Sequence, residues 1–101
     1  MKTLLNLSVA VLFSTLASVS FAGDAAAGKA KSMTCAGCHG KSGISINPMW
    51  PNLAGQKEAY LASALQMYRD GGRVNAMMTP MAKNLTDADI ANLAAYYSGL
   101  K

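Results

Sequence analysis

The stretch SMTCAGCHGKSG, residues 32–43, holds both cysteines and the only histidine of the 101-residue chain. Cys35, Cys38 and His39 fall within five positions. Three chemistries use such a cluster: a metal site, a redox dithiol, or an anchor for something larger. The surrounding sequence has to choose among them.

A structural zinc site takes four ligands, typically from two separated Cys/His pairs. Two cysteines and one histidine leave the second pair missing. A redox Cys-x-x-Cys opens a helix after a strand in a βαβ setting. Here no strand is readable, and the cysteines follow a helical segment rather than open one. A structural disulfide across so short a loop would stabilise a fold only modestly. Covalent haem remains, because Cys-x-x-Cys-His is its attachment motif. On a helical turn, residues three apart lie on one side. Cys35 and Cys38 can therefore each bond one vinyl-derived carbon of a porphyrin. His39 follows directly and reaches the iron from the same side.

The N-terminus carries Lys2, an apolar run broken by Asn6 and serines, and Ser20-Phe21-Ala22 as a small-x-small end. This reads as a secretory signal peptide, residues 1–22, cut after Ala22. A retained anchor is the competing reading, but a spanning helix wants about 20 predominantly apolar residues. Export places the mature chain, residues 23–101, in the periplasm of a bacterium. Removing 22 of 101 residues leaves 79, too few to bury a comfortable core without a staple, metal or cofactor. Nine basic residues less Lys2, against five acids, leave a net charge of +3. That charge is mild and dispersed, which excludes nucleic acid as a partner and suits an acidic protein surface.

The periodicity predicts an all-α domain of three helices with loops at residues 40–55 and 71–85. The first helix runs from about Asp24, its N-cap, to Thr34. Gly28 is costly in its interior, by about 1 kcal/mol relative to Ala, unless another helix crosses there closely. The second spans residues 56–70, with Tyr60, Leu61, Ala64, Leu65 and Tyr68 on one apolar face and Gly71-Gly72 as its stop. The third spans residues 87–98, with Thr86 and Asp89 resembling a capping box and Ile90, Leu93, Ala94 and Tyr97 as its buried stripe.

With His39 assigned and no second histidine, a methionine thioether is the natural sixth ligand to the iron. Candidates are Met33, Met49, Met67, Met77, Met78 and Met81. Met33 and Met67 read as packing residues. Met77, Met78 and Met81 cluster in the long second loop, of a length that tends to be functional.

The segments GDAAAGKAKSMTCAGCHG, WPNLAGQ and AMMTPMAKNLTDADIANLAAYYSGL together make the mature chain resemble class I cytochrome c, in its short, single-haem bacterial periplasmic form. The resemblance implies a cytochrome c fold, with three main helices around one covalently attached haem c. It implies Met78 as the axial sulfur ligand, seven residues before Leu85, with Met81 as the fallback. It implies that the Pro51 carbonyl accepts the ring N–H of His39, and that the last helix crosses at Gly28 with Tyr96 or Tyr97 packed there. Ser32 departs from the apolar or aromatic residue that members of the family often carry there. The implied function is a monomeric periplasmic single-electron carrier, not an enzyme. It would pass electrons to a terminal oxidase or reductase through a haem edge ringed by Lys41, Lys57 and Lys83. A haem subunit of a larger oxidoreductase and a gas-binding protein with an open sixth site are the alternatives.

Overall fold

The structure, a computed structural model, describes residues 23–101; the expected signal peptide, residues 1–22, lies outside the described residues. Asp24 starts the first helix, α1 (Ala25–Lys31), by accepting the N–H groups of Ala26 and Ala27 at 2.9 and 3.3 Å. These are two of the donors that a helix start leaves without an internal partner. The helix does not run straight on to Thr34 as the sequence predicts. It breaks at Ser32, whose hydroxyl donates to the Lys29 carbonyl at 2.6 Å. A second helix, α2 (Met33–His39), follows at once and carries the whole CAGCH motif. Serine competes for backbone carbonyls in this way and bends helices.

The helix α3 (Glu58–Asp70) ends on Gly71, whose φ of 88° is the left-handed conformation expected of a helix stop. Residues 71–85, expected to form a loop, contain a short helix, α4 (Met78–Ala82). The last helix, α5 (Asp87–Ser98), opens on the expected capping box. The Asp89 N–H donates to the Thr86 hydroxyl and the Thr86 N–H to the Asp89 carboxylate, each at 3.0 Å. The Thr86 backbone N–H, above all, holds the Asp89 carboxyl below its usual range. No strand occurs among the described residues, and no helix there is long and apolar enough to cross a membrane.

Helix α5 is the centre of the domain. Ile90, Leu93, Ala94 and Tyr97 are all buried, as the 3.6-residue stripe predicts. Leu61 of α3 packs on Leu93, Ala94 and Tyr97, with Ala62 and Leu65 partly buried beside it. Tyr60 differs from its expected place in that face and is 54% exposed. On the other side α1 crosses α5 at Gly28. A Cβ there would overlap the Asn92 carbonyl and approach Tyr96 Cβ to 2.8 Å. Asn92 Oδ1 accepts the Asp24 N–H at 2.8 Å, and Lys31 pairs with Asp89 at 3.5 Å, so polar contacts flank the crossing.

Candidate functional site

Helix α2 presents Cys35 and Cys38 one turn apart, both partly exposed and not joined to each other. His39 closes the helix and is buried at 6% exposure. Its Nδ1 lies 2.8 Å from the Pro51 carbonyl oxygen. A carbonyl can only accept, so Nδ1 carries a hydrogen, and in the neutral ring the lone pair is then on Nε2. That is the tautomer a metal-binding imidazole needs.

The loop that brings Pro51 to the histidine is built on backbone bonds. The Gly43 carbonyl accepts the N–H groups of Leu53 and Ala54 at 2.8 and 3.0 Å. Asn52 Oδ1 accepts the Ser45 N–H at 2.8 Å, and the Gly55 N–H donates to the Tyr97 carbonyl at 3.0 Å. The loop is thereby stitched to itself and to the end of α5. Pro51 sits inside this frame and its carbonyl direction is fixed.

The three clustered methionines lie on a separate element. Met78 is the first residue of α4 and half-buried, whereas Met77 and Met81 are 53% and 49% exposed. Asn75 organises the turn: its Oδ1 accepts the N–H groups of Met77 and Met78 at 2.9 and 3.0 Å. Thr79 answers by accepting the Asn75 N–H at 2.9 Å. Asn75 and Thr79 were not singled out by the sequence reading, although an Asn two and three residues before the amides it caps is a recognisable turn signal. Met33, expected to pack, is 75% exposed, and Met67 is 43% exposed.

The residues present fit a covalently held haem. Two unpaired thiols a helical turn apart stand beside a histidine whose second nitrogen is already satisfied. The core points the same way. Among the described residues only Ile90 and Leu93 of the large side chains are fully buried, while Ile46, Met49 and Val74 are at least 82% exposed. A domain with so small a core of its own suits an apolar prosthetic group that adds buried surface.

Tyr97 closes the back of the site. Its ring is packed in the core, and the Cys35 side chain lies partly buried against the same cluster. Burial, first, pushes the Tyr97 hydroxyl from 10.0 up to about 12. A raised acid stays neutral in the folded state while the unfolded chain ionises. Its contribution is complete below pH 10.0 and is lost as pH rises toward about 12. Tyr97→Phe should therefore flatten the fall of the denaturant midpoint between pH 9.5 and 11.5, compared with the wild type.

Residues 25–101 match the family model described as Cytochrome c. The chain is 55% identical over 80 residues to cytochrome c-554(548) of Halomonas halodenitrificans, covering 76% of this chain and 96% of that protein. It is 48% identical over 80 residues to cytochrome c4 of Pseudomonas aeruginosa, covering 79% of this chain but 40% of that protein. The structure of reduced recombinant cytochrome c4 from Pseudomonas stutzeri superposes with a TM-score of 0.76 at 43% identity, over 79% of this chain and 47% of that one. The chain thus spans nearly all of the first relative and less than half of the cytochromes c4.

Proposed function

The chain belongs to the cytochrome c family, and from that premise we propose that it is a diffusible single-electron carrier of the bacterial periplasm. The observation that carries the reading is His39 at the end of the cysteine-bearing helix, its Nδ1 2.8 Å from the Pro51 carbonyl. The family binds haem c covalently, and Cys35, Cys38 and His39 form the attachment motif. When bound, the haem supplies a one-electron couple between ferric and ferrous iron. Everything else is the work of the chain.

Cys35 and Cys38 would hold the group to α2 as thioethers, each S–H adding across one vinyl double bond of the porphyrin. His39 offers Nε2 to the iron, and Pro51 holds the ring's orientation and strengthens it as a donor. Met78 would supply the second, sulfur ligand to the iron, with Met81 the fallback. A soft thioether there favours the reduced state and raises the potential. With both His39 and Met78 engaged, the iron would hold no position for a substrate, in keeping with a family of electron-transfer proteins rather than enzymes.

Partner choice is electrostatic. The chain from Ala25 to Lys57, which bears the cysteines and the histidine, contains four lysines and no acid. The segment 71–86, which bears the methionines, contains Arg73 and Lys83 and again no acid. The five acids sit instead at Asp24, Glu58, Asp70, Asp87 and Asp89, at helix ends. Exposed Lys41, Lys57 and Lys83 can steer an acidic donor or acceptor such as a terminal oxidase or reductase. Encounters of that kind are small and short-lived, which suits a monomer that shuttles.

An optical redox titration of the holoprotein under carbon monoxide tests the proposal. The expected result is one single-electron couple, a low-spin spectrum with a sulfur-to-iron band in the oxidised form, and no carbon monoxide adduct. Fast, complete binding of the gas to the reduced protein would instead establish an open sixth site.

A further inference from the structure

Arg69, the penultimate residue of α3, reaches across the base of the methionine-bearing segment. Its Nη1 donates to the Leu85 carbonyl at 3.3 Å and to Asp87 Oδ1 at 2.7 Å, partners 16 and 18 residues away in sequence. The same guanidinium donates through Nε and Nη2 to the two carboxylate oxygens of Asp70 at 2.8 and 3.2 Å. The bidentate grip of Asp70 fixes the plane of the fork, which leaves Nη1 aimed at the far side. Only 19% of the Arg69 side chain is exposed, against 85% for Asp87. One side chain thus ties residue 69 to residues 85 and 87, and all three clustered methionines lie between them. The near end of the segment has its own tie: the Arg73 N–H donates to the Met67 carbonyl at 3.0 Å, and its guanidinium lies 4.7 Å above the Tyr68 ring.

We infer that Arg69 is a positioning residue that locks the methionine loop shut and so keeps the sulfur ligand on the iron. The inference rests on the reading of a methionine from this loop as sixth ligand. A thioether is neutral and a weak competitor for iron beside an added imidazole. Its retention depends on how strongly the chain holds it near the metal, that is, on its effective concentration. Cutting the tie at the loop's base leaves α4 attached by its own packing, by the near-end Arg73 tie and by the chain on either side. The loop then opens more often, and each opening frees the sixth position. Removing a hydrogen bond to a charged group at the base should raise the opening rate by about tenfold.

The readout is the rate at which saturating imidazole binds the ferric holoprotein, a limit set by departure of the native ligand. Arg69→Gln should bind about tenfold faster than wild type. Its resting spectrum should keep the sulfur band. Asp87→Asn, which leaves the Leu85 contact in place, should show a smaller increase of about threefold. Lys31→Gln, which breaks the ion pair on the opposite side of α5, should stay at the wild-type rate and reports any general softening. An Arg69→Gln rate less than threefold above wild type, or an equal rise in Lys31→Gln, overturns the lock. If Arg69→Gln yields no holoprotein, Asp87→Asn decides: a rise of less than twofold overturns the lock, and a twofold or greater rise supports it. A wild-type ferric protein without a sulfur band removes the methionine reading and the lock with it, whereas the rate criteria remove the lock alone.

Discussion

Gly28→Ala should lower the stability of the holoprotein by about 3 kcal/mol or more, toward the upper range for overpacked cores. Helix propensity argues for the opposite sign, since alanine is favoured over glycine in a helix interior by about 1 kcal/mol. The crossing decides. The added Cβ would overlap the Asn92 carbonyl, a backbone atom that cannot rotate away, and would lie 2.8 Å from Tyr96 Cβ. Relief requires α1 to move off α5, which also stretches the Asp24–Asn92 hydrogen bond and the Lys31–Asp89 pair. Ala27→Gly, one residue earlier and exposed, supplies the comparison, with an expected loss of only about 1 kcal/mol. Urea melts of the two variants should therefore rank opposite to their helix propensities. A Gly28→Ala protein as stable as wild type would show that the helices can separate at no cost.

Met78→Ala should abolish the sulfur-to-iron band, allow carbon monoxide to bind the reduced form, and lower the potential. The drop should be on the order of 0.1–0.3 V, a fraction of the roughly 0.8 V that axial ligands span. Met78 is the half-buried member of its cluster, and its N–H is fixed by Asn75 at 3.0 Å. Met81→Ala should keep the band and shift the potential far less. The reverse outcome, a band that survives Met78→Ala and disappears in Met81→Ala, would transfer the ligand role to Met81. Spectra of the two variants, taken side by side in both oxidation states, are sufficient.

What could be read from the sequence was local or periodic. Asp24, Thr86 and Asp89 act on amides two or three residues away, so composition and spacing revealed their roles as caps. The stripe Ile90, Leu93, Ala94 and Tyr97 repeats with the helix, and all four residues are buried. Gly28 was legible as an anomaly, because a penalty in a helix interior asks for a compensating contact. Helix α4 was not legible: five residues with Pro80 among them carry no period, and the turn depends on the Asn75 side chain. The break at Ser32 escaped for a related reason, since a single hydroxyl reaching back to Lys29 leaves no mark on hydrophobic spacing. Tyr60 was misplaced because an apolar face drawn from spacing alone can be rotated by one residue, and Leu61 took the inward position. The Arg69 tie was out of reach altogether, because it joins residues that only the folded chain brings together.

The crossing of α1 and α5 also governs the order in which the protein can be assembled. Asp24 and its partner Asn92 are 68 positions apart. Joining ends so distant costs roughly 4 kcal/mol in chain entropy, by the logarithmic rule for loop closure. A chain that emerges N-terminus first exposes Cys35 long before Tyr97, whose core cluster it packs against, can reach it. Closure therefore waits for the last dozen or so residues. Until they dock, the two thiols stand on an open, unfinished surface, and the time before α1 meets α5 is time in which they can be modified.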